Sequence, residues 1–200
     1  MANRDVNESE INVKGQHVNN IQADTVTVQF GGAGDIKAKT VLVSQAGANT
    51  IEAETVELRQ AGAQTIKGNQ VTIRQGGVVQ ASADELSIVQ GGLVFAETKS
   101  AKLTASTAGA ILASGPVELD QSGAKVVLSR GDVTMDQCGT GLVLARNVTT
   151  GSNSGVVLLL AGRVDGDVKA VFGPAASAAF GAAFAVVLTM LWWLKRRLNF

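Results

Sequence analysis

Apolar residues recur along this chain with a period of two inside short groups and a period of fifteen between groups. Ile21, Ile36, Ile51 and Ile66 are fifteen apart, as are Val26, Val41, Val56 and Val71, and Val28, Val43, Leu58 and Ile73. Gln45, Gln60, Gln75 and Gln90 keep the same register, and so do Gly32, Gly47, Gly62, Gly77 and Gly92. The pattern reaches back to Val6, Ile11 and Val13. It runs forward, with one-residue insertions, through Val117, Val133, Val148 and Val164.

One repeat, residues 51–65, divides into three groups of five. Ile51 and Ala53 alternate with Glu52 and Glu54, Val56 and Leu58 with Glu57 and Arg59, and Ala61 and Ala63 with Gly62 and Gln64. Alternation marks a short strand with one buried face. Thr55, Gln60 and Thr65 close the groups as corners. An amphipathic helix needs apolar residues at i, i+3, i+4 and i+7, which this spacing does not supply. The pattern therefore predicts an all-β fold, a single-stranded parallel β-solenoid. It is triangular, has about fifteen residues per coil, and stacks about ten or eleven coils over residues 6–169 behind a short tail, 1–5.

Stacking makes residues one repeat apart direct neighbours. Lys37, Glu52 and Lys67 then form an outward column of alternating sign, and Lys39 and Glu54 another. The threonine and glutamine columns can form hydroxyl and amide ladders along the corners. The third side differs: it carries Gly-Gly-Ala at Gly32, Ala-Gly-Ala at Gly47 and Gly62, Gly-Gly-Val at Gly77 and Gly-Gly-Leu at Gly92. Two readings stay open there, a tight wall that needs small side chains and a flat contact face for another copy. Val79, Val89, Val94 and Phe95 add apolar groups nearby. The first coil has no capping helix before it, so its strand edge is expected to pair end to end with another copy. The candidate self-association residues are thus Val6, Ile11, Val13, Gly47, Gly62, Gly77, Gly92, Val94 and Phe95.

The last part of the chain breaks the repeat. Residues 170–194 carry no charge and are long enough to cross a bilayer as one helix. Trp192 and Trp193 lie at its end, and Lys195, Arg196 and Arg197 open a basic tail, 195–200, as a membrane interface favours. Gly173, Ser177, Gly181 and Ala185 form a small-xxx-small stripe for helix packing, and Pro174 suits a first helical turn. The opening residues lack the apolar stretch of a secretory signal, so a tail-anchored, single-pass protein with its solenoid in the cytoplasm is expected. The basic cluster after the helix pulls the other way. That leaves an exported solenoid, a surface stalk or adhesin, as the alternative.

Composition narrows the function further. With 17 basic and 17 acidic residues the charge balances, which points to neither a nucleic acid nor an acidic substrate as partner. Cys138 is the single cysteine, too few for a disulfide or a thiolate metal site, and reads as a small core residue. His17 is the single histidine and reads as a solvated surface residue. Asp132, Asp136, Asp165 and Asp167 are scattered, with Asp165-Gly166-Asp167 reading as a turn. No phosphate loop, metal set or catalytic constellation is recognisable, so no enzyme activity, cofactor or small-molecule substrate is expected. The Thr25-Val26-Thr27 pair is not continued as a threonine array, because Leu42 and Glu57 follow in the Thr27 column.

The segments Gly131-Asp-Val-Thr134 and Gly162-Arg-Val-Asp-Gly-Asp-Val168 resemble the rung signature of bactofilins, bacterial cytoskeletal β-helices that form polymers. The motif match lies in the C-terminal third, and the likeness in mode spans residues 6–169. The resemblance implies nucleotide-independent, end-to-end assembly at a membrane. A non-enzymatic, membrane-anchored scaffold that forms homo-oligomers or polymers is the function expected.

Overall fold

The computed structural model describes residues 8–170 together with Thr189 and Met190. It is a parallel β-solenoid of about 9 turns. After β1 (Glu8–Lys14), each turn is one long strand: β2 (His17–Gln29), β3 (Gly32–Ser44), β4 (Gly47–Arg59), β5 (Gly62–Arg74), β6 (Gly77–Val89) and β7 (Gly92–Thr104). The chain continues through β8 (Thr107–Ala113), β9 (Val117–Asp120), β10 (Gly123–Ser129), β11 (Asp132–Asp136) and β12 (Gly139–Ala170). All pair in parallel in one sheet that winds around the core. The repeat predicts about ten or eleven coils, more than the turns observed. The strand structure extends through Ala170, and the predicted membrane helix falls almost wholly outside the described residues. Among the described residues no helix is long and apolar enough to cross a membrane.

Register follows the repeat. Ile36 pairs with Ile51 and Ile51 with Ile66, Val41 with Val56 and Val56 with Val71. In β4, Ala48, Ile51, Val56 and Leu58 are buried, while Asn49, Glu54, Thr55 and Arg59 face solvent. The inward set thus steps by two along a side and by three across a corner. Three corners per turn were expected to interrupt the strand, yet from β2 to β7 only one does. It is the glutamine corner, where Gln45, Gln60, Gln75 and Gln90 adopt φ of 51°, 50°, 55° and 54°. The corners at Thr50 and at Glu54-Thr55 bend extended backbone while inter-coil pairing resumes on either side, so the strand remains continuous through them.

Positive φ costs a non-glycine residue about 1–2 kcal/mol, and among the described residues the chain accepts that at nine non-glycine positions. The side chains there offset part of it. Gln45 Nε2 donates to Gln60 Oε1 at 3.0 Å, Gln60 to Gln75 at 3.2 Å and Gln75 to Gln90 at 3.2 Å. The expected charge ladders also form, with one change of partner. Glu52 lies between Lys37 at 3.2 Å and Lys67 at 3.6 Å. Lys39 bonds Asp24, the carboxylate one coil before it, at 3.0 Å rather than Glu54 one coil after. These pairs are exposed and fix register more than they stabilise.

Core volume is conserved within each coil. Ala63 and Ile66 line one coil, Val78 and Ala81 the next, Leu93 and Ala96 the one after, and Ala108 and Ile111 restore the first arrangement; all are buried. As the third side gains volume the first side loses it, so the wall stays at constant width. The period also changes. Thr98 pairs with Ala113 at fifteen, but Ala101 pairs with Val117 at sixteen. Ser114-Gly115-Pro116 absorbs the extra residue at a corner, and the Pro116 carbonyl still accepts from the Ala101 amide at 3.1 Å.

Two outcomes test this account. Gln60→Ala keeps the positive φ and deletes two ladder bonds, whereas Gln60→Gly deletes the bonds and relieves the backbone. Alanine should therefore be the more destabilising by about 1 kcal/mol in urea unfolding; equal effects would mean the corner is unstrained. The Lys37 hydrogen bond, followed by its charge, holds the Glu52 carboxyl below its ordinary 4.5. The group therefore contributes stability at neutral pH that is lost as pH falls through its depressed folded value. NMR titration should place its midpoint under 4.5, and Lys37→Met should raise it.

Candidate interaction surfaces

Three surfaces contain the residues expected to make contacts. The first is the N-terminal edge. β1 pairs with β2 through Glu8–Ala23 to Lys14–Gln29, and among the described residues it has no second strand partner. Val13 is buried under the next coil and Ile11 is half-buried. Neither presents a free side chain, so pairing at this end would run through β1 backbone groups. Val6 lies outside the described residues.

The second is the glycine side. A Cβ added at Gly47 would meet nothing within 4 Å, and at Gly62, Gly77 and Gly92 only atoms at 3.4, 3.9 and 3.8 Å. Packing within the chain therefore does not demand glycine at these outward positions. The neighbouring inward glycines differ: a Cβ at Gly76 would collide with the Ala61 carbonyl oxygen, and one at Gly91 would lie 2.8 Å from that of Gly76. The tight-wall reading thus explains the inward column, and the outward column is bare by composition alone. Val94, 59 % exposed, flanks the bare wall, while Phe95 is half-buried.

The third surface was not anticipated from the repeat. Outward columns that are polar in the N-terminal coils become apolar in the C-terminal ones. One column runs Asp35, Thr50, Thr65, Gln80 and then Phe95, Ala110, Val126, Leu142. Beside it run Lys37, Glu52, Lys67, Ser82, Glu97 and then Leu112, Leu128, Leu144. The signal was present as Leu112, Leu128, Leu144 and Leu160 at spacing sixteen. A search at fifteen passes over it, because the insertion at Ser114–Pro116 shifts the period.

The remaining candidates are structural. Cys138 belongs to an inward corner column with Ser106, Ser122 and Ser154. Ser106 Oγ accepts from the Gly91 amide at 3.1 Å and donates to the Thr104 carbonyl at 2.7 Å; Ser122 repeats this with Ser106 and Asp120 at 3.1 and 2.7 Å. The Cys138 thiol likewise donates to the Asp136 carbonyl at 2.9 Å. Burial pushes the thiol above its ordinary 9.0, with backbone hydrogen bonds opposing. Gly166, where an Asp-Gly-Asp turn was expected, lies within β12 instead, with φ of 106°, and a Cβ there would collide with the Thr150 carbonyl. His17 is exposed, and its Nδ1 occupies the space a Cβ on Gly32 would need. Among the described residues, no three His, Cys, Asp or Glu side chains converge to hold a metal ion. The helix-packing residues Gly173, Ser177, Gly181 and Ala185, and the interface residues Trp192, Trp193, Lys195, Arg196 and Arg197, lie outside the described residues.

Comparison with known protein families, with curated proteins and with solved structures yields no match.

Because it is buried and its pKa raised, Cys138 should react with maleimide at least about 100-fold faster in denaturant than in the native chain. Cys138→Ser should change stability by less than about 1 kcal/mol, since serine occupies the same column above and below. Rapid labelling of the native chain would show that this corner opens.

Proposed function

We propose that this chain is a non-enzymatic, membrane-anchored scaffold that assembles through its coil edges. The observation that carries the reading is the edge of β1, which follows the same register as every other coil and has no second strand partner among the described residues. Such an edge offers parallel backbone hydrogen bonds to a further coil. The bare column at Gly47, Gly62, Gly77 and Gly92 supports a lateral contact in addition, because side chains would fit there without clash. The resemblance of Gly162–Val168 to the bactofilin rung supports polymer formation, and uncharged residues 170–194 followed by Lys195, Arg196 and Arg197 support anchoring.

The test is negative-stain microscopy and light scattering of the full chain in detergent across a concentration series. Filaments or end-to-end dimers are expected. The double variant Val6→Lys, Ile11→Lys should abolish them while circular dichroism stays strand-like. A strict monomer at high concentration would sink the assembly reading and favour a passive stalk.

A further inference from the structure

The conversion of two neighbouring outward columns from polar to apolar is abrupt and confined to the C-terminal coils. Leu112 and Leu144 are 37 % and 46 % exposed, on the side that carries Lys37, Glu52 and Lys67 in the early coils, and Leu160, sixteen residues after Leu144, is 51 % exposed. Leu158, at the same sixteen-residue spacing from Leu142, is 44 % exposed. Stacked at about 4.8 Å per coil, Leu112 to Leu160 form an apolar strip about 15 Å long. None of these leucines contributes to the interior, where Ile111, Val127 and Val143 hold the corresponding inward places.

The rim of the strip is basic. Arg130 and Arg146 are exposed at the corner following Leu128 and Leu144, and Lys125 is exposed at the corner preceding Val126. Among the described residues none of the three has a carboxylate within ion-pair distance. Leu112, Leu128, Leu144, Lys99 and Arg130 share one shallow concavity of about 560 Å³. Acidic groups lie at its N-terminal end, where Asp84 is bonded to Lys99 at 2.8 Å and Glu97 precedes Leu112 in the column. An apolar strip with cationic edges complements a bilayer surface, where leucines enter the acyl boundary and guanidinium groups stay among anionic headgroups. The strip also runs to the last coil, from which the chain continues toward the uncharged residues 170–194.

We propose that the C-terminal coils lie side-on against an anionic lipid bilayer through the Leu112–Leu128–Leu144–Leu160 column, with Lys125, Arg130 and Arg146 on the headgroups. This rests on the anchoring reading above and adds an orientation: the solenoid reclines on its first side instead of standing upright on its end. The β1 edge, at the opposite end of the axis from the leucines, stays accessible for assembly.

The experiment uses the full chain carrying Cys138→Ser and one introduced cysteine, Leu144→Cys or, as a control on another corner, Gln60→Cys, each labelled with an environment-sensitive NBD fluorophore. Circular dichroism checks that each labelled chain keeps its strand signal. The chains are reconstituted into vesicles of phosphatidylcholine alone or with phosphatidylglycerol. With anionic lipid, emission from position 144 should rise about threefold, as for a probe moved from water to the acyl boundary, and doxyl-labelled lipid should quench it. Position 60 should stay water-like. Arg130→Glu with Arg146→Glu should reverse the gain while the chain still floats with the vesicles. Co-flotation with a water-like probe at 144 overturns the orientation and leaves the anchor standing, whereas failure to co-float removes both. An equal gain on neutral vesicles overturns the role of the basic rim. The Leu144→Cys chain is also tested unlabelled in detergent. Efficient disulfide cross-linking of two copies through the introduced thiol would make a second copy the occupant and overturn the proposal.

Discussion

In-register stacking is the constraint on which everything else in this molecule depends. Each coil hydrogen-bonds to the next as a parallel strand, so every side chain has as its closest lateral neighbour the residue one repeat away. A single misplaced residue is then felt in two coils at once. Like charges cannot be stacked without repulsion, which is why Glu52 separates Lys37 from Lys67 and Lys39 follows Asp24. Inward columns must fill a wall of constant width, which is why Val78 and Leu93 accompany Ala81 and Ala96 where Ala63 accompanied Ile66.

The corners show how stacking turns a local cost into a repeated device. A lone glutamine at positive φ would be strained for no return. Repeated once per coil, its amide meets another amide above and below, and the strained backbone becomes the place where a ladder forms. On the inner side of the same corner the column changes from Gly31, Ala46, Ala61, Gly76 and Gly91 to Ser106, Ser122, Cys138 and Ser154. There the Ser106 and Ser122 hydroxyls each bridge a backbone amide of the coil before and a carbonyl of their own coil, and no buried side-chain nitrogen or oxygen among the described residues is left without a partner. The lone cysteine is explained by this column without any reactive role.

Along the axis the molecule has two characters. Its early coils carry alternating charges on the first side; its late coils carry leucines there, with basic residues at the edges. Since both stretches share the same inward packing, the difference has no counterpart in the core and concerns what lies outside the solenoid. Assembly at the β1 edge and attachment at the opposite end would place the two contacts far apart, so that one does not obstruct the other.

The strand character, the parallel stacking, the charge and amide ladders and most of the buried columns were legible in the sequence alone. A fifteen-residue period with alternation inside it has one low-energy arrangement, in which equivalent residues meet. The pairing of Lys39 with Asp24, the restriction of non-glycine positive φ to a single corner among the described residues, and the steric freedom of the outward glycines were decided by backbone geometry that the period leaves open. The leucine columns depended on tertiary structure in another way. Ser114-Gly115-Pro116 inserts one residue at a corner, where the wall can absorb it without breaking the ladder. The pairing of Ala101 with Val117, and of Leu128 with Leu112 and Leu144, puts leucines sixteen apart on one outer face.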